Sequence, residues 1–375
     1  MTTLLVIAGE ASGDLHGAEL LHALRARRPD LRIIGIGGDR MAPHMDRVLA
    51  HVRDIGVVGF VEVLKHLPQL NRLFKEVLAA ADGENAAAAL FIDYPGFNLR
   101  LAKALRKQRP AMQLAQYVCP QVWAWKKGRI PDLGNTLDAL YCLFDFEPAL
   151  FKGYPVQATW VGNPLVEAVK AEVDRATFLA ETGFDASRPL VALLPGSRAS
   201  EVTRLLPPMV ELVRDWVAAR PDVQWVLPVA PTLEAAFLKR FMGGLPVKLV
   251  EDRSYAARAY ADAALVASGT ATLETALLGT PFAIVYKLNA MTAFAAKRLV
   301  KLPRVGLANI VAGQEVAPEL LQGEVNPGRM SEVLSNLLEP AESARRRALL
   351  ATVRPHLGEP GAADRVAADL LTRLP

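Results

Sequence analysis

The sequence predicts an α/β protein built from two successive Rossmann-like halves that face one another across a cleft. Three observations carry this. Short apolar runs alternate with longer amphipathic segments almost throughout, the pattern of a parallel sheet with crossover helices. Loops rich in Gly and Ser fall directly after several of the apolar runs. The rhythm breaks once, around Gly153-Tyr154-Pro155 and Gly162-Asn163-Pro164, and then restarts. A length of 375 residues suits two domains at roughly 100–200 residues each.

In order, Thr3–Ala8 is the first strand, followed by a Gly/Ser loop and a helix from about Asp14 to Arg27. Leu31–Ile36, Ala87–Ile92, Gln113–Val118 and Asp138–Phe144 are further strands, with helices near Val58–Ala80 and Phe97–Gln108. The junction is placed at Asn163, giving domains 1–163 and 164–340, with terminal helices from about 341 to 375 packing back on the first. The second half offers strands at Leu190–Leu194, Val223–Val229, Val247–Val250, Ala263–Ala267 and Phe282–Tyr286. Its helices lie near Glu201–Ala219, Thr270–Leu278 and Met291–Val300.

Composition narrows the function classes. The chain is 51% hydrophobic and 22% charged, which excludes a disordered protein. Net charge is +4, a mild bias towards anions and not a polybasic surface. Two cysteines exclude a disulfide scaffold, and none of the six histidines has metal-ligand spacing, so no metal is expected. No basic segment precedes the first apolar run, so no signal peptide is expected. The weakly charged stretch Ala263–Tyr286 contains Glu274 and Pro281 and reads as strand, turn, helix and strand, not as a membrane span. The expectation is a soluble protein or one bound to a membrane surface.

In parallel sheets, ligands bind beyond the carboxyl ends of strands, so the loops there are the candidates. Gly9-Glu10-Ala11-Ser12-Gly13-Asp14 allows close backbone approach, with Ser12 or Asp14 as helix cap. It is not GxGxxG, and no GxxxxGK[ST] occurs, which weighs against a dinucleotide dehydrogenase and a P-loop NTPase. Asp93 closes an apolar strand before Tyr94-Pro95, where it could accept a proton or merely cap the next helix. Trp123 and Trp125 stand beside Lys126 and Lys127, as pocket walls or as core. Gly196-Ser197-Arg198 offers N–H groups and a guanidinium to a phosphate, unless Arg198 only pairs with Glu201. Ser268-Gly269-Thr270 opens a helix whose N-terminus suits a diphosphate, and Glu274 lies one turn on, able to accept from ribose hydroxyls.

Two basic amphipathic stretches are candidates for anionic lipid or for core packing. One is Tyr286–Arg304, with Phe294, Lys297, Arg298 and Lys301; the other is Val57–Leu78, with Phe60, Leu64 and Phe74. No aromatic-basic RNA motif is present, so nucleic acid is not an expected partner.

Taken together, these segments resemble the lipid-A-disaccharide synthase family over essentially the whole chain. The resemblance rests on the Gly9–Asp14 loop, Val58–Leu64, Asp93-Tyr94-Pro95 with Phe97-Asn98, and Pro120–Trp125. Leu194–Arg198, Ser268–Ala271 with Glu274, Ala296–Lys301 and Asn309-Ile310 complete it. It implies a GT-B glycosyltransferase joining UDP-2,3-diacylglucosamine to 2,3-diacylglucosamine 1-phosphate, with inversion and with no metal or cofactor. The products would be a β-1,6-linked disaccharide 1-phosphate and UDP. It implies Asp93 as general base, with Glu10 and Ser12 facing the same cleft. Ser197, Arg198, Ser268, Gly269, Thr270, Glu274, Asn309 and Gln322 would serve the donor. It further implies a peripheral protein on the cytoplasmic face of the inner membrane; a homodimer is left open. Gly96, Cys119 and Ala308 depart from the family's common pattern, which bears on the acceptor pocket's shape. The rival readings are another GT-B enzyme acting on a UDP-sugar, such as an epimerase, and a non-catalytic nucleotide-sugar or lipid-binding protein.

Overall fold

The computed structural model describes residues 2–54, 60–124, 126–288 and 304–375, and of residues 54 and 60–67 the backbone alone. The chain divides into two compact units, Met1–Pro164 with Leu357–Pro375, and Leu165–His356.

The first unit holds β1 (Thr3–Ala8), α1 (Ala11–Arg27), β2 (Arg32–Gly37), β3 (Arg47–His51), α2 (Phe60–Gly83), β4 (Ala88–Ile92) and α3 (Pro95–Gln108). It continues with β5 (Gln113–Tyr117), α4 (Ile130–Thr136), β6 (Ala139–Cys142) and β7 (Gln157–Trp160). Its seven strands lie in the order β3-β2-β1-β4-β5-β6-β7, and every pairing is parallel. Period-2 alternation sends Leu5 and Ile7 into one core and Leu4, Val6 and Ala8 into another, one on each face of the sheet. Both faces being covered explains why β1 and β4 read as continuous apolar runs.

The second unit holds α5 (Leu165–Ala168), α6 (Arg175–Thr182), β8 (Leu190–Leu194), α7 (Ala199–Ala219), β9 (Gln224–Pro228), α8 (Ala235–Met242), β10 (Val247–Val250) and α9 (Ser254–Ala259). Then come β11 (Ala263–Ala267), α10 (Thr270–Leu277), β12 (Phe282–Tyr286), α11 (Leu307–Val311), β13 (Glu319–Leu321), α12 (Pro327–Leu338) and α13 (Pro340–Ala351). Its sheet has six parallel strands in the order β10-β9-β8-β11-β12-β13.

A short helix, α14 (Arg354–Leu357), precedes α15 (Ala362–Thr372). The apolar stripe of α15, Val366, Ala367 and Leu370, joins Leu20, Leu21 and Leu24 of α1 in one core. Each Val or Leu side chain so buried contributes about 1.5–3 kcal/mol, which holds the chain's end on the first unit. The return begins at Leu357, later than the expected 341, because α13 packs with the second unit. The strands β3, β7 and β13, absent from the sequence reading, are all at or beside a sheet edge, and β3 and β7 are largely exposed.

Candidate active site

Each sheet reverses its strand order once, and each reversal carries a cluster of polar side chains. In the first sheet the reversal lies between β1 and β4, where Ala8 is opposite Ile92. In the second it lies between β8 and β11, where Leu194 is opposite Val266. Such reversals leave a crevice beyond the carboxyl ends of the strands.

At the first reversal, Ser12 Oγ donates to Asp93 Oδ2 at 3.2 Å. Asp93 and Tyr94 both adopt left-handed backbone, φ 51° and 46°, a strained pair of residues of the kind that gathers at functional sites. Asn98 Nδ2 and Gln116 Nε2 hold that geometry by donating to the Asp93 carbonyl at 2.8 and 3.1 Å. Asp93 is therefore not a helix cap; α3 starts at Pro95, after Tyr94. Gly9 is required here, since a Cβ would strike the Tyr94 ring. Glu10 is exposed, and after burial its charge is what pushes the Tyr94 hydroxyl's pKa up. Neither Ser12 nor Asp14 caps α1, which begins at Ala11 after Glu10. The buried Asp14 carboxylate instead accepts from the backbone N–H groups of Gly38 (2.6 Å), Arg40 (3.1 Å) and Met41 (3.1 Å). It thereby ties the α1 turn to the loop after β2.

At the second reversal, one cavity of about 370 Å³ is lined by Ser197, Arg198, Ser268, Gly269, Thr270 and Glu274, together with Arg258 and the ends of β8, β9 and β11. The N-termini of α7 and α10 open onto it, so free N–H groups and the positive ends of two helix dipoles gather there. Gly196 takes φ 111° and leaves no room for a Cβ against the Glu201 carboxylate. Glu201 accepts from Ser197 N at 3.2 Å and from Arg198 Nη1 at 3.1 Å. The Arg198 side chain is nonetheless 70% exposed, so this pair is weak and Arg198 is free to turn to a ligand. Ser268 Oγ donates to the Val305 carbonyl at 3.1 Å.

Glu274 is ion-paired with Arg258 and accepts from Tyr255 Oη at 3.4 Å. Arg258 lies 5.4 Å from the Tyr255 ring centroid and donates to Ser254 Oγ at 2.9 Å. Its Nε is buried without a hydrogen-bond partner among the described residues. Burial pushes the Tyr255 hydroxyl up to about 12. Arg258, Glu274 and Ser254 also border a second cavity of about 800 Å³ whose wall includes Glu172, Glu234, Glu251 and Tyr255. Sequence reasoning missed Arg258 and Tyr255, because a lone Ser-Tyr-Ala-Ala-Arg segment carries no spacing signal; only the pairing with Glu274 reveals them.

Other expected site residues lie elsewhere. Asn309 is fully buried and lines neither cavity. It donates to the Ala317 carbonyl (2.7 Å) and Glu319 Oε1 (2.9 Å), and accepts from Val316 N (2.8 Å) and Ala317 N (3.0 Å). Its amide capacity is spent on the turn before β13, so in this structure it shapes the unit. Gln322 directly follows β13 with φ 54° and lines neither cavity. Trp123 is buried, donating to Glu147 Oε1 at 3.1 Å and packed edge-on against Phe144 and Phe146, so it is core and not an open acyl wall. Phe74 packs edge-on against Phe97, and α2 buries Leu73, Val77 and Ala81 beside it, so this half of α2 is also core. Trp125, Phe294, Lys297, Arg298 and Lys301, and the side chains of Phe60 and Leu64, lie outside the described residues.

Among the described residues, one group of side chains has metal-ligand proximity: Cys119, Cys142 and Glu147, whose ligand atoms lie within 4.8 Å of one another. Contact with Cys142, burial and the Glu147 charge push the Cys119 thiol well up. Burial pushes the Glu147 carboxyl up to about 7, although Trp123 and the N–H groups of Leu143 and Phe144 donate to it. The cluster has the character of a buried clamp on the Trp123 loop, with a Cys119 thiol that stays protonated and is a poor ligand.

The profile of the lipid-A-disaccharide synthetase family matches residues 4–364. The lipid-A-disaccharide synthase of Myxococcus xanthus (strain DK1622) is 41% identical over 376 residues, covering 99% of this chain and 97% of that one. Among solved structures, a putative UDP-N-acetylglucosamine 2-epimerase from Listeria monocytogenes aligns with TM-score 0.65 at 16% identity, covering 99% of this chain and 96% of the other. The glycosyltransferase of kitacinnamycin aligns with TM-score 0.64, also at 16% identity, covering 100% and 99%. At that identity the structures speak for the fold alone, two parallel sheets of the GT-B type.

Proposed function

The chain belongs to the lipid-A-disaccharide synthase family, and from that premise we propose how its two polar clusters divide the reaction. It is a hexosyltransferase of lipid A biosynthesis, with a UDP-sugar donor and a lipid acceptor. The donor is UDP-2,3-diacylglucosamine and the acceptor 2,3-diacylglucosamine 1-phosphate. The observation that carries the reading is the second-unit cavity, where six of the eight expected donor residues converge on two helix N-termini.

The diphosphate occupies the Gly196–Arg198 loop and the start of α10, with Arg198 turning from Glu201 to the anion. Glu274, already held by Arg258, accepts from the ribose hydroxyls. In the first unit, Ser12 orients the Asp93 carboxylate, which takes the proton from the acceptor 6-hydroxyl. The acceptor oxygen bonds to the anomeric carbon as UDP leaves with the bonding electrons. The fixed N–H groups and Arg198 stabilise the charge that grows on the diphosphate.

Both substrates carry acyl chains, which supports peripheral contact with an anionic membrane surface at the cytoplasmic face. The basic stretch with Lys297, Arg298 and Lys301 is the candidate contact. Among the described residues no helix is long and apolar enough to cross a membrane.

The test is product formation from the two substrates in detergent, followed by mass spectrometry, for wild type and Asp93→Asn. The expected result is disaccharide 1-phosphate plus UDP, with kcat reduced by roughly 10²–10⁴-fold in the variant. Near-normal turnover by folded Asp93→Asn would remove Asp93 as the base. No product from folded wild type would overturn the substrate assignment.

A further inference from the structure

The mechanism leaves one group near Asp93 unused. His16 sits on α1 four residues after Ser12, so the two share a helix face one turn apart. Ser12 on that face holds the Asp93 carboxylate. The His16 ring lies 6.3 Å, edge-on, from the ring of Tyr117, the last residue of the strand next to β4. Its Nδ1 is buried and has no hydrogen-bond partner among the described residues. A buried ring nitrogen left open is costly unless it is used.

We propose that His16 is the positioning and relay residue behind Asp93: it takes on the proton that Asp93 removes from the acceptor hydroxyl and so restores the carboxylate. The inference rests on the reading of Asp93 as general base. The step balances. The hydroxyl oxygen bonds to the anomeric carbon, the diphosphate leaves with the electron pair, and the proton goes to Asp93. It passes to Nδ1 when carboxylate and ring close to hydrogen-bond distance, and the imidazolium so formed loses its Nε2 proton to solvent.

The surrounding charges suit this role. Burial holds the imidazole below its ordinary pKa, so it is neutral and able to accept at neutral pH, and Asp93 is the charge that opposes this. The other titratable groups on and around α1 are engaged elsewhere. Asp14 binds the Gly38–Met41 loop, and His22 faces His44. Arg25 pairs with Asp46 and Arg27 with Asp364 of α15, while Asp369 of α15 takes Tyr141 and Arg373. Glu10 lies at the start of α1, where its charge acts on Tyr94.

The experiment uses the full chain with both substrates. His16→Gln and His16→Ala are compared with Asp93→Asn and with the His16→Gln/Asp93→Asn double variant, across pH 5–9. His16→Gln should lower kcat about tenfold or more with donor KM unchanged. Part of the wild-type loss of kcat on the acid side should vanish in His16→Gln, because no imidazole remains to be protonated while the Asp93 carboxylate must still be ionised. The double variant should be no slower than Asp93→Asn alone, and added imidazole should restore part of the rate of His16→Ala. If Asp93→Asn is slow while folded His16→Gln keeps wild-type kcat and the acid-side loss, the relay fails and the base assignment stands. If Asp93→Asn turns over normally, both fail. A His16→Ala protein that is slow, folded and deaf to imidazole, with additive effects in the double variant, marks His16 as packing for Tyr117 and overturns the relay.

Discussion

Glu274→Gln is the most informative single change, because it tests the fold of the donor cavity and its chemistry together. The pair is nearly buried, with the Arg258 and Glu274 side chains 12% and 17% exposed. Removing one partner of a buried pair costs about 3–5 kcal/mol, because the other charge stays behind in a low-dielectric site. Residual exposure and the second contact of Arg258 with Ser254 put the cost at the lower end, about 3 kcal/mol. For a unit of this size, about 2–4 °C is lost per kcal/mol, so Tm of the second unit should fall by about 6–12 °C. UDP at 100 times its Kd should stabilise the wild type by about 2.7 kcal/mol. In the variant a charge-assisted contact to ribose becomes a neutral one, about half as strong, so UDP should bind roughly tenfold more weakly. The assays are thermal melting with and without UDP, and calorimetric titration of UDP. Replacing both members, Arg258→Met with Glu274→Met, should cost less than either single change, since no stranded charge remains. A Tm loss below about 2 °C would refute the buried-pair reasoning. Unchanged UDP affinity in folded Glu274→Gln would refute the ribose role.

Arg198→Ala should leave melting unchanged, because its partner Glu201 is a weak surface pair. It should weaken UDP binding about 10–100-fold through loss of roughly 1.5–3 kcal/mol; equal affinity by titration would remove Arg198 from the donor site. Asn309→Ala strands four partners, three of them buried, and should cost about 3 kcal/mol in stability while UDP affinity of the folded fraction stays within twofold. A tenfold loss of UDP affinity at unchanged Tm would instead make Asn309 a donor contact. Glu147 titrates at about 7 in the folded state against 4.5 for the free group, so the folded chain holds a proton that the unfolded chain releases between those values. Stability should therefore be greatest below pH 4.5 for this group, fall as pH rises to about 7, and lose roughly 3 kcal/mol in all. Denaturant titrations of wild type and Glu147→Gln over this window should differ by that slope, and parallel curves would show that Glu147 is not buried neutral.

The interior strands and the loops after them were legible because burial on both faces writes itself as unbroken apolar runs, as in Leu4–Ala8 and Val191–Leu194. Of the four edge strands, β10 was legible and β3, β7 and β13 were not. Arg47–His51 and Gln157–Trp160 are mostly exposed, so their side chains follow solvent and carry no period. The Gly- and Ser-rich loops that converge on the second-unit cavity were also legible, since Gly and Ser at a helix start have few other uses. Positions whose role depends on a partner far along the chain were not. Arg258 means nothing until Glu274 is beside it, and Trp123 looks like a pocket wall until Glu147, 24 residues on, takes its indole N–H. The local role of Asn309 was not legible, because a sequence cannot show that four hydrogen bonds are already satisfied around it.

The two sheets reverse their order in the same way, yet the two reversals have opposite electrostatic character. At β1/β4 the loop after the strand places Glu10 before the helix start, and Asp93 follows the neighbouring strand, so both loops beyond this reversal carry a carboxylate. Any anion drawn to the α1 N-terminus meets these charges first. At β8/β11 the corresponding loops carry Gly, Ser, Thr and Arg198, while the carboxylates present, Glu201 and Glu274, are each bound to an arginine. Free N–H groups there are unopposed. On the proposed reading, a nucleotide diphosphate would be directed to the second unit by both attraction and exclusion, and a hydroxyl that must lose a proton to the first. The duplicated topology supplies a strand-order reversal in each sheet, and in the proposed reaction a handful of charged side chains would give one the chemistry of a leaving group and the other that of a base. Reversing the charge at the first crevice, by Glu10→Lys, should accordingly let UDP bind there weakly without supporting transfer, which equilibrium titration would register as a second, low-affinity site.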